Sequence, residues 1–571
     1  MAAAAAPGGV VGQRCLQLLV LVAAAGRAAA VKGGMLYPRE SPSRELKELG
    51  GIWSFRADFS PGRVAGFEQR WYRQPLRQTG PVIDMPVPAS FNDITQDPHL
   101  ENYIGWVWYE KEVLLPQRWL QDDLSTRVVL RFGSAHYYSI VWVNGVQVVE
   151  HEGGHLPFEA DISRIVQRSP GVPCRITVAL NNTLTLHTLP PGSIQYMNDK
   201  TRYPKNYFVQ NTRFDFFNYA GIHRPVVLYT TPSVYIDDIT VTTTSSETMV
   251  QYQISVVGSE LYSLSLSLRD QEGKVVATGD GPSGELKVPN PNLWWPYLMH
   301  ENPGYRYFLE VKMQAQANGV PQEDIYTLPV GIRTVHVTST QFLINGKPFY
   351  FHGVNKHEDA DIRGKGLDWA LIVKDFNLLR WLGANSFRTS HYPYAEEIMD
   401  LCDTYGIVVI DECPGAPYVD VICVNSYFSW YHDSGHLEVI PLQLTAQFEN
   451  WYKTYQKPII QSEYGADSVP GLHSDPPAMF SEEYQKAMLK EYHSVFDKKR
   501  KEYVVGELIW NFADFMTNQG ITRVLGNKKG IFTRQRQPKS AAFVLRERYW
   551  KIANESSYAA LPCSMEELPS H

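Results

Sequence analysis

From about residue 35 to residue 230 the chain alternates apolar and polar positions in short runs broken by turn residues, the period-two signature of half-buried strands. The stretch "SIVWVNGVQVVEHEGG" is representative: two alternating runs flank Asn144-Gly145, a dipeptide suited to the left-handed positions of a tight hairpin turn. These runs predict a β-sandwich of jelly-roll type. Strands such as "YIDDITVTTT" and "YQISVVG" continue the pattern from about 231 to 335, at a spacing that suits an immunoglobulin-like sandwich.

Near residue 340 the period changes. "FLINGKPFYFHGVN" predicts a hairpin through Asn345-Gly346 leading into a strand. "DWALIVKDFNLLRWLG" then predicts a helix, with Asp368 as N-cap, an apolar stripe of Ile372, Phe376, Leu379 and Leu382, and a stop at Gly383. From there strands and helices alternate to "SAAFVLRERYWKIA". That alternation predicts a parallel sheet, and polar and aromatic residues collect at the C-terminal ends of its strands, where a TIM barrel places its site.

The count is short. Six strands and five helices are legible where a closed barrel needs eight of each. The shortfall falls at "IDECPGAPYVDVICVN": only Asp411 to Tyr418 separate strand Ile407-Val408-Val409-Ile410 from the next, Val419 to Val424. A parallel crossover takes a dozen or more residues. Pro414-Gly415 suits a tight reversal, which would set the next strand antiparallel. At about 30 residues per barrel unit, two strands and three helices amount to roughly 80 residues.

With 571 residues, a prior of roughly four domains is reasonable. A formal charge of −7 and the lack of any Lys/Arg block argue against a nucleic-acid or membrane-surface partner. Arg14, the apolar run Cys15 to Ala25 and small residues up to Ala30 predict a secretory signal peptide, too short to span a bilayer. Sequons at Asn181 and Asn554 agree with passage through the secretory route. Beyond the leader, Cys174, Cys402, Cys413, Cys423 and Cys563 form neither a disulfide framework nor a zinc pattern. The 14 Trp and 33 Tyr suit sugar-stacking surfaces and large β-domains alike.

Eight motifs carry a resemblance: "GGMLYP", "FDFFNYAG", "GVNKHEDADIRGKG", "RTSHYPYAEE", "VVIDECPG", "QSEYGA", "WNFADF" and "GNKKGIFTRQRQPKSAAF". Through them nearly the whole chain resembles the glycoside hydrolase family that includes the β-galactosidases. The resemblance implies a signal peptide over 1–30, a jelly roll over 31–230, an immunoglobulin-like domain over 231–338, a (β/α)8 TIM barrel over 339–562, incomplete here, and a tail over 563–571. It implies retaining hydrolysis of terminal β-D-glucuronic acid from glycosaminoglycan fragments and glucuronides, with no cofactor or metal. A homotetramer delivered to the lysosome through its glycans is also implied.

Retention requires two carboxylates about 5 Å apart, one attacking the anomeric carbon and one donating a proton to the leaving oxygen. Glu463 in "QSEYGA" matches the family's nucleophile. The sugar's own carboxylate needs cations and amide donors; Asn527 and Lys529 match the family's carboxylate-reading pair, with Arg523 close by. Asp215, His357, Asn425, Tyr427, Tyr431 and Trp510 match sugar-contacting positions, and Arg388 and His391 resemble residues of the site floor.

The family's acid/base is the Glu of an Asn-Glu-Pro triplet at the end of the fourth barrel strand. This chain contains no such triplet; its one Asn-Glu pair is Asn554-Glu555. On this reading "DECPG" ends barrel strand three, "APYVDVICVN" leads into strand six, and the acid lay between. The clean join at a loop suggests an omitted coding segment. Glu412 is the one nearby candidate replacement. Two functions therefore compete: a glucuronic-acid-releasing hydrolase, and a non-catalytic chain that binds sugar or co-assembles with a full-length partner.

Overall fold

The computed structural model describes residues 35–121, 126–168, 172–243, 249–317, 319–412 and 419–555. The expected leader, the join at 413–418 with Cys413 and Pro414-Gly415, and the tail with Cys563 lie outside the described residues.

The first unit is an antiparallel sandwich. A six-stranded sheet, in the order Ile83–Val87, Gly51–Ala57, Trp106–Val113, Cys174–Asn181, Tyr138–Val143, Val146–Glu152, faces a four-stranded sheet. Alternate residues such as Trp53, Phe55, Tyr109, Leu130, Phe132 and Val178 fill the space between. At the hairpin, Asn144 and Gly145 take φ of 50° and 78°, the left-handed pair that a two-residue turn requires. Another sandwich follows, this one of seven strands, with sheets of three and four strands closed over Ile254, Leu266, Leu309 and Val311. A buried ion pair, Arg44 to Asp324 at 2.6 Å, ties the segment before the first sandwich to this second one.

The third unit holds a six-stranded, wholly parallel sheet: β1 (Phe351–Lys356), β2 (Ser386–Thr389), β3 (Val408–Ile410), β4 (Ile422–Asn425), β5 (Ile459–Glu463) and β6 (Val504–Ile509). Its order is β3-β2-β1-β6-β5-β4. Five helices cover it: α1 (Trp369–Leu382), α2 (Glu396–Tyr405), α3 (Ile440–Tyr455), α4 (Glu482–Lys499) and α5 (Ser540–Glu555). The expected cap is present: Asp368 accepts hydrogen bonds from Ala370 and Leu371 N–H at 3.0 and 3.3 Å, worth about 1 kcal/mol. Ile372, Phe376, Leu379 and Leu382 are buried, and Gly383 closes the helix at φ 74°.

The strand count matches the sequence reading, and so does the direction of β4. It pairs parallel to β5, not reversed as Pro414-Gly415 allowed. Burial marks where the sheet stops. Strands β1, β2, β5 and β6 are buried at every residue, as parallel strands covered on both faces should be. Strand β3 is only partly buried throughout, and β4 alternates buried and exposed, with Cys423 and Asn425 open. Phe351, Ile460 and Leu508 fill the concave face over the Asn345-Gly346 hairpin, and Val408, Ile410 and Val421 lean on that cluster partly buried. Among the described residues β3 and β4 thus end the sheet as two edges of a half-barrel, where a closed barrel has none.

Candidate active site

The C-terminal ends of β1, β2, β5 and β6 converge on Glu463, which is buried at the end of β5. Its Oε1 accepts from Arg388 Nη1 at 2.7 Å and its Oε2 from the Tyr427 hydroxyl at 2.6 Å. Burial and the Glu463 charge push the Tyr427 phenol well above its ordinary pKa, so it serves as a donor. Arg388, on β2, is fixed in turn by Asn355 Oδ1 at 2.7 Å. The Asn355 amide donates to the carbonyls of Ser462, Leu508 and Ile509, knitting β1 to β5 and β6 beneath the carboxylate.

The other nitrogen of Arg388 reaches Glu412 Oε2 at 2.7 Å, and His391 Nδ1 lies 3.1 Å from the same oxygen. Burial would raise the Glu412 pKa, but the His391 hydrogen bond and the Arg388 charge outweigh it and hold the carboxyl below its ordinary range. Glu412 is thus an anion on the site floor. A proton donor needs the opposite shift.

His391 stacks on Trp510 at 5.1 Å between ring centres. His357 stacks on Phe515 at 4.1 Å, and burial holds its imidazole well below its ordinary pKa. The His357 Nδ1 lies 3.4 Å from the Tyr392 hydroxyl; its Nε2 is buried with no partner among the described residues.

Blind, "GNKKG" reads as an exposed basic turn, and the structure places it inside. Gly526, at φ 95°, and Gly530 press against the 513–516 backbone: an added Cβ would lie 2.4 Å from Phe515 O and 2.1 Å from Asp514 N. The turn is therefore pinned inward, and Asn527 and Lys529 are buried. Lys529 Nζ donates to Asp467 Oδ2 and, at 3.1 Å, to the Tyr431 hydroxyl. Asp467 also accepts from Lys528 N–H at 2.8 Å, clamping the turn to the segment after β5. Asn527 and Arg523 both reach Asp215 of the jelly roll; Arg523 grips it by two nitrogens at 2.9 and 2.6 Å. Burial works against the Arg523 charge, but the Asp215 and Tyr431 contacts outweigh it and raise its pKa.

The Tyr427 and Tyr431 rings, 5.2 Å apart, bridge the two halves, one bonded to Glu463 and the other to Lys529. Asn425 stands on the open edge strand, its Oδ1 accepting from Ser462 Oγ at 2.8 Å. The site thus gathers Glu463, Arg388, His391, His357, Tyr427, Tyr431, Trp510, Arg523, Asn527, Lys529 and Asp215, with Asn425 at its rim. Sequence reasoning missed Asp467 and Asn355. Neither sits in a local pattern of its own; each acts through partners tens to more than a hundred residues away. Of the sequons, Asn554 is exposed and Asn181 partly so, its Oδ1 accepting from Thr183 N–H at 2.9 Å. Ser556 of the second lies outside the described residues.

Comparison with known proteins agrees. The profile described as "Glycosyl hydrolases family 2, sugar binding domain" matches residues 46–232, and "Glycosyl hydrolases family 2, TIM barrel domain" matches 335–417 and 415–554. The chain belongs to glycosyl hydrolase family 2. It is 63% identical to the β-glucuronidase of Felis catus over 614 aligned positions, covering 93% of this chain and 94% of that one. It is 62% identical to that of Homo sapiens, covering 93% and 95%. Among solved structures it resembles the β-D-glucuronidase of Dictyoglomus thermophilum, at TM-score 0.81 and 44% identity over 90% of this chain and 99% of that one. It also resembles the Ruminococcus gnavus β-glucuronidase in complex with D-glucuronic acid, at TM-score 0.80 and 32% identity over 91% and 100%.

The gap is visible in the same alignments. The barrel profile breaks into two runs that meet at 415–417. Ninety-three per cent of 571 residues is about 531, so about 80 of the 614 aligned positions have no residue here.

Proposed function

We propose that this chain carries a β-glucuronidase site of the retaining type without its proton donor. In this reading Lys529 and Asn527 take the carboxylate of a terminal β-D-glucuronic acid, and Arg523, held by Asp215, closes over it. His357, Asn425, Tyr427, Tyr431 and Trp510 surround the ring, and Arg388 and His391 hold the floor. Glu463 attacks the anomeric carbon: the carbon–oxygen bond to the leaving group breaks as the bond to Glu463 forms, and water later releases the sugar. The departing oxygen takes its proton from solvent, because the Asn-Glu-Pro position has no counterpart and Glu412 is held as an anion. Family substrates are then expected to react in order of how readily they leave unprotonated.

The observation that carries this reading is the tyrosine bridge. It links a buried carboxylate and a buried ammonium through two neighbouring tyrosines, as a sugar with an anomeric carbon at one end and a carboxylate at the other requires. The relatives' names support glucuronides as substrates. Lysosomal delivery, glycans at Asn181 and Asn554 and a homotetramer belong to the same proposal, as does the division of the chain at 230, 338 and 562. Among the described residues no helix is long and apolar enough to cross a membrane.

The open sheet edge favours a second reading, a non-catalytic chain that co-assembles with a full-length partner. One experiment separates the two: release of a fluorophore from a β-glucuronide by the purified chain at acidic pH, beside Glu463→Gln. Activity lost in the variant supports the hydrolase; no activity above the variant supports the second reading.

A further inference from the structure

We propose that Lys539 and Gln485 are positioning residues for Lys529: from behind the 526–530 turn they hold the peptide groups on either side of it and so fix where its ammonium points. The role of Lys529 itself rests on the reading proposed above. Lys539 stands in "QPKSAA", just before α5, and is buried. A buried ammonium is uncommon, because its desolvation is costly unless its protons find acceptors. It has three protons to donate and no acceptor. Lys539 Nζ lies 2.8 Å from Asp514 Oδ1, 2.9 Å from Ser468 O and 2.9 Å from Lys528 O, with Ser468 Oγ farther off at 3.4 Å. One partner balances the charge. The other two are main-chain carbonyls, one in the segment after β5 and one in the turn.

The neighbouring peptide groups are held in the same way. Gln485, buried on α4, donates through Nε2 to Ala466 O at 3.0 Å and to Lys529 O at 3.2 Å. Asp514 Oδ1 accepts from Gly530 N–H at 3.0 Å. The frame behind these contacts is itself braced. Ser540 N–H donates to Glu482 Oε2 at 2.7 Å, joining the start of α5 to the start of α4, and Lys539 N–H donates to Ile531 O at 2.9 Å. The Lys529 ammonium, by contrast, sits at the end of a flexible four-carbon stem. A fixed main chain beneath it narrows where that stem can reach, as a binding group requires of its supports.

A buried Lys–Asp pair could instead serve stability alone. The two roles part company when both charges are removed together. Neutralising the pair relieves the penalty of one uncompensated buried charge. It does not restore the hydrogen bonds from Lys539 to Lys528 O and Ser468 O. A role in stability alone therefore predicts that ligand affinity returns with stability, and a positioning role predicts that it stays low.

The test is calorimetric titration of the full chain with D-glucuronic acid, beside chemical denaturation and hydrogen exchange read over residues 526–531. Lys539→Met is expected to lose stability, and Lys539→Met with Asp514→Asn to regain part of it. The double variant is nevertheless expected to bind glucuronic acid at least about tenfold more weakly than the parent, since a misplacement of about 1 Å can cost about 10²-fold, and to exchange faster across the turn. Gln485→Met, which changes no charge, is expected to do the same, and it carries the comparison if the double variant does not fold. Parental affinity in these variants overturns the proposal. Weakened affinity without faster exchange also overturns it, because the residues would then act other than by holding the turn. If the parent itself does not bind glucuronic acid, the active-site reading falls and exchange decides alone: faster exchange in the variants keeps Lys539 and Gln485 as the groups that hold the turn, and parental exchange overturns that too.

Discussion

Arg388 holds Glu463 and Glu412 with one guanidinium, its Nη1 2.7 Å from Glu463 and its Nη2 2.7 Å from Glu412. Two carboxylates side by side would ordinarily raise each other's pKa. The cation beside it helps hold Glu412 as an anion, which disqualifies that carboxyl as an acid. The pairing separates what the site keeps from what it lacks.

A site with a nucleophile and no acid should discriminate by leaving group. General acid catalysis typically contributes about 10²–10⁴-fold. Aryl β-glucuronides whose phenols leave as stable anions are expected to react at rates roughly that much above alkyl β-glucuronides. Glu463→Gln is expected to abolish both. Comparable rates for the two classes would mean that some group does deliver a proton.

Glu412 makes a prediction with pH. A carboxyl whose folded pKa is depressed adds stability that is fully present above its ordinary value of 4.5 and is lost as pH falls through the lower folded value. Glu412→Gln is therefore expected to melt below the parent chain near neutral pH, with the difference closing in strongly acidic buffer. A gap that widens on acidification would contradict the ion-pair assignment. Rescue of the aryl/alkyl rate ratio is not expected from any Glu412 substitution.

The fold was legible because its signals are local. Asn144-Gly145 and Asn345-Gly346 marked two hairpins, Asp368 and Gly383 bracketed α1, and the eight residues after Ile410 betrayed the missing crossover. Glu463 and Lys529 became legible only through motif resemblance, since a Glu at a strand end and a Lys in a turn have blander explanations. Asp467 and Asn355 were not legible at all. The role of Asp467 exists only once the segment after β5 meets the 526–530 turn, and that of Asn355 only once β1 lies beside β5 and β6; no spacing in the sequence records either adjacency. The pull of Gly526 and Gly530 on the "NKK" turn is likewise a tertiary fact, because each glycine is needed for what another segment would strike.

Lys529 and Asp467 form a fully buried pair, so removing one partner should cost more than removing both charges. Lys529→Met is expected to destabilise by about 3–5 kcal/mol, because Asp467 is left charged and buried. Lys529→Met with Asp467→Asn is expected to recover part of that loss, while glucuronate binding stays absent. Chemical denaturation of the single and double variants measures the coupling. Additive losses would mean that Asp467 is satisfied by the Lys528 N–H and the Arg523 guanidinium 3.9 Å away.

The open edge can be read through Cys423. It lies on β4 and faces the concave side that a closed barrel would cover, whereas Cys174 and Cys402 are buried. Among these three, Cys423 is expected to react first with a maleimide, as peptide mapping over time would record. Among the described residues β3 and β4 have a strand partner on one side only, so concentration should favour association. If association covers the edge, Cys423 labelling slows as concentration rises, and Cys423→Ser leaves the association itself intact. Labelling that is slow at every concentration would mean that the edge is already covered within a single chain, and the half-barrel would then owe its stability to something other than a partner.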